Sequence, residues 1–171
     1  NIVSNKYENG RGVIIFDGSV TSIGDKAFGD TWTSSITLES ITIPESVVTI
    51  GKSAFRGCTS LKNIIIPDNV TTIEEYAFEG CAGITTINIP DGVTAIGKYA
   101  FARCSAIANI IIPNGVATIG DHAFYACRSL TNVAMPDSVT SIDSSAFARC
   151  TALTSVTISK GMTSIGASAF Y

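Results

Sequence analysis

Charge is scarce in this chain. Asp, Glu, Lys and Arg make up 15% of its 171 residues, where about a quarter is usual. Hydrophobic residues make up 46%, a composition that excludes a disordered segment. The few charges nearly cancel, leaving a formal net charge of -3, so no general attraction to nucleic acid or anionic lipid is expected. Histidine occurs once, at His122, which leaves little for acid–base chemistry. No apolar run approaches the roughly 18 residues of a membrane span. No charged-then-apolar leader follows Asn1; the chain is expected to be a processed product or an excised fragment.

What the sequence does contain is repetition. Proline falls at Pro44, Pro67, Pro90, Pro113 and Pro136, a step of 23, and Ser159 takes the next slot. All five cysteines, Cys58, Cys81, Cys104, Cys127 and Cys150, keep the same step, as do the phenylalanines from Phe55 to Phe170. Phe28 precedes Phe55 by 27, which predicts a four-residue insertion near residues 29–36, around Trp32. Within a unit, Ile41 and Ile43 stand two apart before Pro44. Both therefore face one way from an extended strand, which the proline ends. A return path of about 17 residues carries Val47, Ile50, Ala54, Phe55 and Cys58 inward. A unit this short cannot bury its own apolar set. Stacking places like residues on like and builds one continuous core.

The expected fold is a right-handed parallel β coil of 23-residue turns, six to seven in number, over residues 13–171. A short extended piece near Val47 to Ile50, then one helical turn around Ala54 and Phe55, is expected on the return side. Residues 1–12 fit no unit and are expected to form a polar cap. With neighbouring strands about 4.8 Å apart, the body is a rod roughly 30 Å long.

The string Ile-Pro-x-x-Val-x-x-Ile-Gly-x-x-Ala-Phe-x-x-Cys-x-x-Leu, complete from Ile43 to Leu61, resembles the BspA-like leucine-rich repeat. The resemblance runs from about Val13 onward. Departures are small: Glu74 and Asp143 replace the Gly, Met135 and Met162 replace branched apolar residues, and Thr31 stands where the first unit would carry its Cys. Membership would imply a leucine-rich-repeat solenoid of a secreted or cell-surface protein, often bacterial, in which such arrays adhere to host proteins or other cells.

Candidate sites follow from the columns. Five cysteines 23 apart lack the paired spacing of zinc sites. Adjacent turns could bring two within disulfide reach, but an odd number pointing one way favours buried free thiols. His122 shares a variable column with Ser53, Tyr76, Tyr99 and Ser145. Asp121 beside it is expected to point elsewhere, so no catalytic constellation forms and no enzyme is expected. No cofactor or metal is expected either. The alternating column Asp25, Lys52, Glu75, Lys98 and Asp121 predicts pairing between turns. The row Glu45, Asp68, Asp91, Asn114 and Asp137 reads as a solvated turn rather than a calcium site, which needs six or more converging oxygens. Arg103, Arg128 and Arg149 could form a small basic patch, and Asn69-Val70-Thr71 is a sequon.

The most informative surface is the outward strand face. Its columns are Ser40, Asn63, Thr86, Asn109, Asn132 and Ser155, beside Thr42, Ile65, Asn88, Ile111, Ala134 and Thr157. This face is nearly uncharged, and Ile65 and Ile111 have no core to enter. The expected role is a non-enzymatic recognition or adhesion module binding a host or cell-surface protein or glycan there. The alternative is a structural spacer displaying another domain. A second candidate surface is the aromatic row Tyr76, Tyr99 and His122, with Tyr125 nearby. The apolar last turn predicts either end-to-end dimerisation or further turns of the native protein beyond it.

Overall fold

The structure, a computed structural model, describes residues 2–8, 11–16, 18–29 and 38–171. The insertion expected near 29–36, with Trp32 and Thr31, falls almost wholly outside the described residues. Strands Ile2–Glu8 and Arg11–Phe16 pair antiparallel. The second of them runs through the expected boundary at residues 12 and 13.

Over residues 18–29 and 38–171 the chain winds as a parallel β-solenoid of about six turns of about 23 residues. Each coil has two short extended sides. Strands such as Ser40–Thr42 and Asn63–Ile65 pair in register, Ile41 on Ile64. Strands such as Thr49–Ile50 and Thr72–Ile73 do the same around the next corner. Alternation along the first side is exposed–buried–exposed at Asn63, Ile64 and Ile65, as a period of two requires. Val47, Ile50, Ala54, Phe55, Cys58 and Leu61, all fully buried, fill the interior of one coil, and their equivalents fill the next.

The phenylalanines form one column from Phe28 to Phe170, with ring centroids 5.1 to 5.5 Å apart and near-parallel planes. Offset stacking of this kind adds to the burial of each ring. The five thiols are free and buried. Each donates to the carbonyl of the phenylalanine in the coil before it, from Cys58 to Phe28 (3.4 Å) through Cys104 to Phe78 (3.1 Å) to Cys150 on Phe124 (3.2 Å). Burial pushes the thiols up from 9.0 to about 11 at Cys58 and Cys150, and further at the three between them. They are therefore poor nucleophiles.

The helical turn expected around Ala54 and Phe55 does not form. No helix is present among the described residues. Successive turns occupy that side, closed by Ala54 N–H to Gly51 O (3.2 Å) and Arg56 N–H to Ser53 O (3.1 Å). The intervening amides leave the coil altogether: Ser53, Phe55 and Gly57 donate to Glu75, Ala77 and Glu79 of the next coil at 2.7–3.0 Å. A helix would spend those amides within its own turn. Here they join neighbouring coils, so the turn side is itself a ladder. The path needs positive φ at Ser53 (57°) and Gly57 (75°), and the same two positions take it in the following coils.

Candidate binding surface

The outward strand face assembles as the columns require. Thr42, Asn63, Ile65, Asn88, Asn109, Ile111, Asn132, Ala134 and Thr157 are all exposed. Ile65 is 79% and Ile111 77% exposed, since the strand alternation that buries Ile64 and Ile66 turns them outward. Side-chain amides of Asn63, Asn88 and Asn109 have no hydrogen-bond partner among the described residues, whereas Asn132 donates to Thr131 Oγ1 at 3.1 Å. The face therefore offers two apolar contacts set among outward-facing amide donors and acceptors, with its charged groups, such as Lys62 and Glu39, at the rim.

On the turn side Tyr76 stacks on Tyr99 (5.1 Å), Tyr99 on His122 (4.5 Å), and Tyr125 tilts against His122 (5.2 Å). Because the rings lie face to face, their edges meet solvent. The alternating charge column pairs between coils as expected, Lys52 with Glu75 at 2.9 Å and Lys98 with Asp121 at 3.0 Å. Asp25 instead accepts from the Lys52 backbone amide (2.8 Å).

One expectation is corrected here. Asp121 does not point elsewhere: its Oδ1 lies 2.9 Å from His122 Nδ1. His122 itself takes the left-handed φ of 57° common to its column. Partial burial would raise the Asp121 carboxyl, but hydrogen bonds from Lys98 and His122 outweigh it and hold that group below its usual range.

Sequence reasoning missed Glu79. Its carboxylate is 3% exposed and lies 2.8 Å from both Arg56 Nε and Arg103. Arg56 stands one coil earlier in the same column, and the opposite signs 23 residues apart were the available signal. Arg103, expected in a basic patch with Arg128 and Arg149, is thus partly committed to Glu79. Arg103 and Arg149 both lie over the Tyr125 ring, at 5.9 and 5.7 Å from its centroid.

The depressions of the surface are open ones. The first, about 450 Å³, lies between Lys98, Asp121 and Asp143 on one side and Ser164 and Ile165 on the other. Among the described residues no three His, Cys, Asp or Glu side chains converge on a metal position. No described helix is long and apolar enough to cross a membrane.

A parallel coil with an aromatic and thiol column and a flat strand face defines a leucine-rich-repeat solenoid. The chain belongs to the BspA type leucine rich repeat family, whose model matches six copies over residues 21–150 and 71–171. A leucine-rich repeat protein of Treponema pallidum is similar at 30% identity and a TM-score of 0.80, covering 88% of this chain and 69% of that one. A leucine rich cell surface protein of Faecalibacterium prausnitzii is similar at 36% identity and a TM-score of 0.67, covering 70% of this chain and 31% of that one. A leucine-rich repeat protein of Bacteroides ovatus shares the fold, with 24% identity, a TM-score of 0.67, and 97% and 54% of the two chains covered. Comparison with curated proteins finds no match. Arrays of this family are generally interaction or structural modules rather than enzymes.

Proposed function

We propose that this chain is a non-enzymatic recognition module of a secreted or cell-surface bacterial protein, binding a host or cell-surface protein or glycan through its outward strand face. The observation that carries this reading is the exposure of Ile65 and Ile111, at 79% and 77%, in a sheet whose other outward residues are small or amide-bearing. A branched apolar side chain left in water gains nothing for the fold, and it gains about 25 cal/mol per Å² when a partner covers it. The label on the Faecalibacterium relative, a cell surface protein, supports the location.

The test is a double variant, Ile65→Lys with Ile111→Lys, compared with the parent in capture from host matrix extract. Binding should fall at least about tenfold, equivalent to roughly 1.4 kcal/mol, with circular dichroism and melting temperature unchanged. Equal capture by a folded variant would leave the array as a spacer.

A further inference from the structure

From residue 38 onward the chain has six asparagines, and five of them precede a β-branched residue: Asn63, Asn88 and Asn109 an isoleucine, Asn69 and Asn132 a valine. Asn114 alone among the six precedes a glycine, Gly115. A branched Cβ on the following residue crowds its amide nitrogen, and glycine leaves that nitrogen open. Asn114 and Gly115 are the central residues of the turn that Val116 N–H closes on Pro113 O at 3.1 Å, and both are exposed. Neither the Gly115 amide nor the Asn114 carboxamide has a hydrogen-bond partner among the described residues. Asn69, in the equivalent turn two coils earlier, is held: its Nδ2 donates to Glu45 O (2.8 Å), and the Val70 amide behind it is given to Pro67 O (3.0 Å). The fold itself requires the glycine. A Cβ on Gly115 would lie 2.5 Å from Asp91 O in the coil before, so the residue that lets the two coils close also leaves Asn114 open to attack.

We infer that Asn114–Gly115 is a site of spontaneous deamidation. The Gly115 amide nitrogen gives its proton to water or hydroxide and attacks Cγ of Asn114, forming a C–N bond. The Cγ–Nδ2 bond breaks, and Nδ2 takes up a proton and leaves as ammonia. Water then opens the five-membered imide at either carbonyl, giving aspartate or isoaspartate. Water is the only co-reactant. Closing the ring requires the Pro113–Val116 turn to loosen, which a corner exposed to solvent permits. The new acid stands between Asp91 and Asp137, one coil from each at about 4.8 Å along the rod. It makes the corner row of Glu45, Asp68, Asp91 and Asp137 continuous, and like charges at that spacing repel. Isoaspartate also adds a main-chain carbon beside the close contact with Asp91. The aged chain is therefore more acidic and less stable than the fresh one.

The test is incubation of the folded chain in warm, mildly alkaline buffer, followed by tryptic peptide mass spectrometry that separates aspartate from isoaspartate. Asn114 should convert at least about tenfold faster than the other five asparagines, with isoaspartate among the products. The melting temperature should fall further over the incubation than in Asn114→Gln, whose ring would be one atom larger. The second Asn–Gly pair of the sequence, Asn9–Gly10, lies outside the described residues and on another tryptic peptide, so it is counted apart. An intact Asn114 in the folded chain, with conversion only in denaturant, overturns the proposal, because the turn then protects it. Equal conversion at the other five overturns it too, and aspartate without isoaspartate overturns the imide route.

Discussion

The two sides of the coil hold their neighbours by different means. On the turn side every junction from Ser53 onward carries three amide bonds, as from Tyr76, Phe78 and Gly80 to Lys98, Ala100 and Ala102 at 2.8–2.9 Å. On the strand side pairing is interrupted. The ladder around Thr49–Ile50 runs to Thr72–Ile73 and resumes only at Ala95–Ile96. The amides of Thr94 and Gly97 lack the bonds to Thr71 and Ile73 that their equivalents Ala117 and Gly120 make to Thr94 and Ile96 at 2.9 Å. Along the other side, the two coils between Asn63–Ile65 and Asn132–Ala134 carry no strand of their own, only an isolated bridge from Asn109 to Asn132. A shallow slot lined by Thr72, Glu74, Thr94 and Gly97 marks the same junction. Coils in this array are thus fastened at the turns and only intermittently at the strands.

The largest test of that fastening is alkaline. The thiols closing the turn side have folded values raised from 9.0, to about 11 at Cys58 and Cys150. Above pH about 9 the unfolded chain loses these protons while the folded chain keeps them. Stability should therefore be intact below that pH and decline above it, by roughly 1.4 kcal/mol per thiol per pH unit, until the folded values are passed. Denaturant titrations between about pH 8 and 10 measure the slope, which Cys104→Ala should lessen. A flat profile would mean the thiols are solvated.

Next in size is Glu79→Gln, which leaves Arg56 and Arg103 without their shared counter-charge across the junction whose strands are unpaired. Because both arginines reach solvent, the loss should be about 2 kcal/mol, below that of a fully buried pair. The exposed Glu75→Gln should cost under about 1 kcal/mol. Equal losses by equilibrium unfolding would remove the special role of the clamp.

The smallest effect is local. Hydrogen exchange at the Thr94 and Gly97 amides should run about tenfold faster than at Ala117 and Gly120. Matching rates would mean that the two sides are equally secured.

The coil and its columns were legible from the period alone, because Phe55 on Phe78 and Ile50 on Ile73 follow from spacing plus the need to bury apolar area. The buried thiols and the exposed Ile65 and Ile111 were legible for the same reason. The turn side was not. A run such as Ser53-Ala54-Phe55-Arg56 has no feature that separates a helical turn from stacked left-handed turns; the outcome is decided by where its amides find acceptors, in another coil. Glu79 was legible only in part: Arg56 stands 23 residues before it in the same column, but Arg103 sits one coil on and one column over, a diagonal that a periodic reading does not scan. The strand interruption was invisible too, since Val93, Ile96, Gly97 and Phe101 all obey the motif there.

The bonds between coils have a direction. Each thiol reaches back to the coil before, and each Phe55-type amide reaches forward to the coil after. A coil so wired accepts a new neighbour at either end but tolerates no reversal. An ancestral gene could therefore lengthen or shorten this rod by whole multiples of 23 codons with the column contacts regenerated, and a coil of another length is tolerated where the columns resume in register, as they do from Phe28 to Phe55 across a step of 27 with the rings 5.2 Å apart.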